Sequence, residues 1–546
     1  MYDLVLIHTP SVMDFREGGM IFGPISDVIP SNQIFEMYPI GFLSILSYLR
    51  KRGFKVKILN LAYRMLTERK FNPEKRLRKI DADLFGIDFH WLVHANGVMR
   101  VSSILKEQEK NVLLGGLSSS YYHREIMELW DVDFVLRGDT TEPLIQLLLE
   151  NKEDERKLGE IPNLSYRING KTRVNPLSFV PGEIDEYYID FKEVFKSALF
   201  RIKDYMPYRS KNFVGATLTM KGCEYNCISC GGSKFSYSLI CNRKCPVLKS
   251  PEVILREIES FSILKAPIFL IGDLQIGGRK RWKRLFSLMR EEGVEIPVII
   301  EVFYPPGEEF LREASSCSPE VYIQISPESQ DQEVRKFQGR GYSNNSLERF
   351  LKKASKLPFR RIDLYFMIGL AKQDFFSAMG IPKYAGRIME EFNKKDDSKK
   401  VDCFLAPLAP YVDPGSLAFE KGVGYKILWK DLRRYCYALK QYSWKYSLNY
   451  EAKMSRDEIV RATYDGAELL IREKIKMNLI PEDSGIELIE RIRKSKELMN
   501  EIDSLIEKGI EPEVPFSDFE PEISLKEELT PPSSLSIIRG LMRWRF

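Results

Sequence analysis

Two kinds of hydrophobic spacing alternate along the first part of the chain. "YDLVLIHTP", from Tyr2, is a continuous apolar run and reads as a buried strand. "PIGFLSILSYLRKRGFKVKILNLA" spaces its apolar residues like an amphipathic helix, turns at Gly53 and then alternates like a strand. "LFGIDFHW", "NVLLGGL" and "VDFVLRGD" are three further strands, with helical patterns such as "GVMRVSSILKEQEK" and "EPLIQLLLE" between or after them. The pattern predicts an α/β domain over residues 1–155, a doubly wound parallel sheet of Rossmann-like type. Ligands of such sheets lie outside the carboxyl ends of the strands. Those ends carry His8–Pro10, Asp88–Trp91, Gly115–Ser120 and Arg137–Pro143. A ligand held there would lie along Gly115, Gly116 and Ser118. The two glycines either let a large flat or phosphate-bearing ligand reach the backbone or merely ease a tight turn.

Residues 156–211 change character and read as a linker with a small β element, a hairpin around Asn169 and Gly170. A second alternating series fills residues 212–420. Its strands are "FVGATLTMKGC", "PIFLIGD", "PVIIEVF", "VYIQISPES", "RIDLYFMIGL" and "KVDCFLAPLAP". Six strands with helices between them predict a partial (β/α)6 barrel of TIM type, with function at the strands' carboxyl ends. Residues 421–546 read as a helical extension, an acidic Pro-containing tail and a closing segment, "SSLSIIRGLMRWRF".

Composition narrows the class. A chain of 546 residues exceeds one ordinary core, so roughly two to four domains are expected. Hydrophobic residues make up 44% and charged residues 29%, as in a soluble globular protein. A net charge of +5 gives no electrostatic case for binding nucleic acid. No run of about 18 apolar residues predicts a membrane-spanning helix, and the N-terminus lacks the basic region of a signal peptide. The expectation is a cytoplasmic protein. The closing segment, with Arg539, Arg543 and Arg545 among aromatic and aliphatic residues, either lies peripherally on the inner membrane surface or docks on the barrel. Cytoplasmic cysteines stay reduced, so a cluster of them points to metal or catalysis rather than disulfides.

Such a cluster stands at residues 221–233, "KGCEYNCISCGGS", with Cys223, Cys227 and Cys230 in one short loop. Three thiolates can hold three irons of a [4Fe–4S] cube and leave the fourth iron open. A zinc site completed by Cys241 or Cys245 is the plainer alternative, but zinc sites usually join two cysteine pairs from separate loops. The C-x3-C-x2-C loop resembles that of the radical S-adenosylmethionine (radical SAM) enzymes. Tyr225 fits the aromatic position inside that loop. "IFLIGD" stands where the family has a Gly-Gly-Glu stretch facing the methionine amine, so the resemblance implies Gly272 and Asp273 as cofactor contacts. "SPES" is similar to the segment that meets ribose and carboxylate, implying Ser326 and Glu328. "MIGL" is similar to the strand packed on adenine, implying Gly369. No residue presents itself as the catalytic group.

The first domain resembles the cobalamin-binding domain that precedes many radical SAM barrels, and the two resemblances together cover roughly residues 1–420. The family's cobalt-ligating D-x-H-x-x-G reads "DFREGG" here, Asp14–Gly19. Arg16 stays protonated and cannot ligate a metal, so cobalamin is either bound without that histidine or lost. His90 and His94 read as ordinary loop or core histidines. Cys241 and Cys245, with Cys317, Cys403 and Cys436, invite an auxiliary cluster, but free cysteines are often small buried hydrophobes. The resemblance implies an enzyme that reductively cleaves S-adenosylmethionine to a 5′-deoxyadenosyl radical and modifies an unactivated carbon, fed by a donor such as ferredoxin or flavodoxin. A non-catalytic iron–sulfur or cobalamin-responsive protein is the alternative class. Domain order and the closing segment look similar to archaeal tetraether-lipid ring synthases, implying a lipid substrate and cyclopentane formation. Cobalamin-dependent C-methylation, on a small molecule or lipid, is the alternative chemistry.

Overall fold

The apolar runs at Tyr2–His8 (β1), Val56–Asn60 (β4), Ala82–Asp88 (β5), Val112–Gly115 (β6) and Phe134–Leu136 (β7) lie parallel, in the order β4-β1-β5-β6-β7. Their residues are almost all buried, as expected of a parallel sheet covered by helices on both faces. This computed structural model describes the chain outside residues 17–21, 27–28, 33–39, 69, 198–213, 394–399, 409 and 511–546. The closing segment assigned to membrane or barrel contact therefore lies outside the described residues. Among the described residues no helix is long and apolar enough to cross a membrane.

The hairpin expected inside a linker belongs instead to the first sheet. Leu164–Ile168 (β8) runs antiparallel to β7, and Lys171–Val174 (β9) follows it, giving seven strands. Asn169 and Gly170 both take positive φ, +48° and +72°, as a two-residue hairpin turn requires. The reason for the attachment is apolar: Leu164 and Tyr166 are buried in the main core. The connection beyond it is fastened to both domains. Ser44 donates to the Tyr187 carbonyl at 2.5 Å, and the Asp190 N–H donates to Ser47 Oγ at 3.0 Å. On the other side the Ile189 N–H donates to Glu257 Oε1 at 2.6 Å, and the Phe191 N–H donates to Ser260 Oγ at 3.3 Å.

The second sheet holds Gly215–Leu218 (β10), Ile268–Ile271 (β13), Val298–Val302 (β14), Val321–Glu328 (β15), Arg361–Ile368 (β16) and Val401–Pro407 (β17). All six are parallel and neighbour one another in sequence order, which makes an open (β/α)6 half-barrel. A two-stranded ribbon, Met220–Lys221 (β11) with Val247–Leu248 (β12), brackets the cysteine loop. One face of the sheet, with Leu270, Ile300 and Ile323, joins the main core beside Trp282 and Phe286. The opposite, concave face carries a separate apolar row, Ala216, Phe269, Ile299 and Tyr322, in register across four strands.

After the barrel in the chain come a small antiparallel ribbon, Lys426–Ile427 with Tyr450–Glu451, and two long helices, Arg456–Lys476 and Glu482–Glu507. Ser455 starts the first of these with a complete capping box to Glu458. That helix packs on β17 and on helix Phe375–Asn393. A hairpin from the first domain, Phe22–Ser26 (β2) with Ile29–Asn32 (β3), lays its backbone against β17 and the last helix. The two domains also meet along helix Leu117–Leu129. The Tyr121 hydroxyl donates to Glu420 at 2.6 Å, the Tyr122 hydroxyl donates to the Lys430 carbonyl at 2.7 Å, and Glu125 accepts from the Leu432 N–H at 2.7 Å.

Gly116 decides between the two readings of the glycine pair at its own position. Its φ is +117°, and a Cβ there would stand 2.6 Å from the His90 Cα and N. The tight turn needs the glycine by itself. Gly116→Ala is expected to cost about 2–4 kcal/mol of stability, read as a lower urea midpoint. An unchanged midpoint would contradict this packing.

Candidate functional site

The cysteine loop leaves the carboxyl end of β10 and is shaped by backbone contacts. Gly222, at φ +88°, passes so close to Arg243 and Pro246 that a side chain would crowd both. The Cys230 N–H donates to the Cys227 carbonyl at 3.2 Å, and the Lys234 N–H donates to the Tyr225 carbonyl at 2.8 Å. Ser233 caps the following helix, Lys234–Cys241, by accepting from the Ser236 N–H. Asn226 Oδ1 accepts from the Phe235 N–H at 2.9 Å. One tight turn thus presents three thiols: Cys227 buried, Cys223 half-buried, Cys230 exposed.

The donor set fits an iron–sulfur cube. Two sulfurs already receive backbone donors, the Tyr225 N–H on Cys223 Sγ at 3.4 Å and the Gly232 N–H on Cys230 Sγ at 3.3 Å. Hydrogen bonds to sulfur are among the features that tune such clusters. Burial pushes the Cys227 thiol up to about 11 and raises Cys223 as well, while the nearby Arg340 opposes the rise at both. Bound cations reverse this and deprotonate coordinating thiols.

The barrel residues expected to hold cofactor all sit at the same end as the loop. Gly272 and Asp273 follow β13. Gly272, at φ +99°, donates its N–H to Glu301 Oε2 at 3.0 Å. Asp273 is fully buried and accepts from the Phe303 N–H at 2.8 Å, the Gln275 N–H at 2.9 Å and the Gln275 amide at 3.2 Å. Its carboxylate is thus committed to the loops beside it. Ser326 and Glu328 end β15 across a bulge, with Glu328 at φ +65°. Glu328 pairs with the buried Arg340 at 3.2 Å, and both carry charge felt at Cys227. Tyr225 stacks on Tyr304, with ring centroids 4.9 Å apart at 28°. Gly369, after β16, faces the Tyr450 hydroxyl, which a Cβ would approach to 2.4 Å.

In the first domain Gly115 faces open space, whereas Gly116 and Ser118 fasten the loop after β5. The Ser118 hydroxyl donates to the His90 carbonyl at 2.9 Å. Arg16 folds back on Asp14, at 2.5 Å, and donates to the Phe71 carbonyl at 3.0 Å. Arg137–Pro143 does reach the barrel. Asp139, buried, pairs with Lys221 at 2.5 Å and with Arg243 at 2.7 Å, residues that flank the cysteines. Cys241 is buried against Gly138 at this seam, and Cys245 is exposed.

Two residues of the site carried no signal in the sequence, Arg340 and Asp413, and the strand end holding Asp139 was legible but its ion pairs were not. Asp413, after β17, accepts the Gly231 N–H at 2.8 Å and so braces the loop just past Cys230, 182 residues away in the chain. An ion pair or brace between distant segments has no local spacing to betray it.

Residues 32–148 match the B12 binding domain family and residues 217–375 match the radical SAM superfamily. Among solved structures, the chain is similar to the radical S-adenosylmethionine methyltransferase TsrM from Kitasatospora setae with cobalamin and [4Fe–4S] cluster bound. That likeness has 13% identity and a TM-score of 0.58, covering 91% of this chain and all 100% of that one. The same enzyme with tryptophan substrate and a SAM analogue matches at 12% identity and TM-score 0.51, over 70% of this chain and 71% of that one. The apo, selenomethionine-labelled cobalamin-dependent radical enzyme OxsB matches at 13% identity and TM-score 0.52, over 99% of this chain and 83% of that one. At these identities the likeness is one of fold. No curated protein matches the chain by sequence.

Two expectations follow. Replacing Arg340 by Ala removes the ion pair it makes with Glu328, and breaking a largely buried pair of this kind costs about 3–5 kcal/mol; a thermal melt unchanged from wild type would refute the pairing. Burial raises Asp273 from 3.8 to about 6. Between those values the folded chain keeps a proton that the unfolded chain has released. This group's contribution to stability is therefore complete below about 4 and is lost as pH rises through about 6. Urea midpoints measured from pH 4 to 7 should fall more steeply in wild type than in Asp273→Asn, and equal slopes would refute the assignment.

Proposed function

This chain is an enzyme that carries a B12-binding domain ahead of a radical SAM domain, and from that premise we propose that it methylates a carbon of a polar small molecule. Cys223, Cys227 and Cys230 would hold the cluster, and the strand ends of the first domain would hold cobalamin without a histidine from Asp14–Gly19. Bound there, the cluster supplies the electron that cleaves S-adenosylmethionine, and cobalamin supplies a methyl carrier. The chain's own residues set the conditions. Arg340 places a fixed positive charge beside Cys227 and holds Glu328. Tyr225 and Tyr304 stack over the loop, and aromatic cover of this kind keeps water from a reactive site. A small-molecule substrate and an electron donor complete the reaction, the donor being of ferredoxin or flavodoxin type.

The observation that carries the substrate class is a row on the concave face. Above Ala216, Phe269, Ile299 and Tyr322, side chains two residues on share the same face. There Glu301 pairs in register with Gln324, Gln324 with Asp363, and Asp363 with Asp402. All four are buried. Arg361 meets Asp363 at 2.7 Å and Lys474 meets Asp402 at 3.2 Å. Neither amide atom of Gln324 has a hydrogen-bond partner among the described residues. A buried polar group without a partner costs about 1–3 kcal/mol, and an alkyl chain offers none. The row therefore favours a substrate with hydrogen-bonding groups. Ring closure in an archaeal tetraether lipid is the second reading. It rests on domain order and on the closing segment, and the polar row weighs against it.

Methyl transfer and ring closure differ in where the methyl carbon goes. With methyl-labelled S-adenosylmethionine, the label should enter the product; an unlabelled product with a new ring would establish the second reading. Cys227→Ala should abolish cleavage of S-adenosylmethionine in reduced, reconstituted protein, and retained 5′-deoxyadenosine would sink the cluster assignment. Hydroxocobalamin added and then desalted should stay bound with no protein histidine on cobalt.

A further inference from the structure

A second cluster of ligand side chains lies in the first domain, away from the cysteines. Ile7 of β1 pairs with Ile87 of β5. His8 and Asp88 are therefore next in register, on one face at the carboxyl ends of two adjacent strands. His94, from the 3-10 turn Leu92–His94, closes over them, its ring 5.0 Å from that of His8 at 73°. One ligand atom from each residue lies within 4.8 Å of the others, and all three residues are buried.

The spacing suits a shared ion better than a hydrogen bond. His8 Nδ1 stands 3.6 Å from Asp88 Oδ2, beyond ordinary hydrogen-bond range. Two ligands about 2.0–2.2 Å from a tetrahedral zinc are separated by about 3.4 Å. Asp88 is also oriented for the role. Its Oδ1 accepts the His90 N–H at 3.2 Å, while Oδ2 has no hydrogen-bond partner among the described residues and stands 3.6 Å from His8 Nδ1. An outer hydrogen bond that fixes a carboxylate is a usual companion of metal ligation. Next after His8 in the chain, the Thr9 hydroxyl is fully buried and also lacks a hydrogen-bond partner among the described residues. Two imidazoles and one carboxylate prefer a borderline divalent ion such as zinc to magnesium or calcium.

We propose that His8, Asp88 and His94 form a buried zinc site that ties the ends of β1 and β5 to the turn beneath the first domain's ligand face. The site is separate from the cluster and from any cobalt. Full-length protein loaded with zinc chloride and desalted should retain one zinc per chain by elemental analysis, measured beside iron and cobalt. Asp88→Asn and His94→Gln should each weaken zinc retention at least about tenfold, with iron content unchanged, and Cys245→Ser should leave zinc intact. Zinc should also raise the melting temperature of chelator-treated wild type, which keeps the test open if a variant folds poorly. Absence of stoichiometric zinc, zinc retained in both variants, or zinc lost in Cys245→Ser would each overturn the site.

Discussion

Asp139 holds the two sheets mouth to mouth. Its carboxylate is buried between Lys221 and Arg243, one on each side of the cysteine loop. A buried charge is tolerated only when paired, so the strand end that carries Asp139 has one place to sit. Gly138, at φ +62°, sits beside Cys241 so closely that an added Cβ would stand 3.3 Å from the Cys241 Cα. The carboxyl ends of the first sheet therefore face the carboxyl ends of the barrel. That arrangement lets a carrier bound on one sheet approach chemistry performed on the other. Helix Leu117–Leu129 and its contacts to Glu420, Lys430 and Leu432 fix the remaining rotation.

Much of this was legible in the sequence because it is local. Every strand of the barrel announced itself as an apolar run, and the cysteine loop was complete within eight residues. Gly272, Glu328 and Gly369 stood at strand ends whose direction follows from the βα alternation. The hairpin β8–β9 is legible as a hairpin but its place in the first sheet is not, because its partner β7 is an edge that only the folded sheet exposes. The pairing of Asp139 with Lys221 and the bracing of Gly231 by Asp413 have no local pattern. Each depends on where two distant segments come to rest. The polar row from Glu301 to Asp402 was hidden for the same reason. Each member looks like one polar residue in an apolar strand, and only the register aligns them.

The free edge at β17 shows how an open barrel manages its exposed strand. An unpaired edge invites association with other chains unless it is covered. Here helix Arg456–Lys476 and the backbone of hairpin β2–β3 pack against it. The hairpin belongs to the first domain, so the barrel's last strand is sheltered partly by residues more than 350 positions earlier in the chain.

The fastening of residues Tyr187–Phe191 bears on modularity. The segment donates to Glu257 and Ser260 of the barrel and takes Ser44 and Ser47 of the first domain as partners. It behaves as a seam sewn on both sides, not as a tether between beads. Neither half is a transplantable part. A barrel excised from this chain would carry Glu257, buried and already matched to Lys249 at 2.6 Å, with its Ile189 donor gone. The first domain alone would expose the serines that the seam now occupies. Swapping either half for a relative's would require recutting both faces of that seam together.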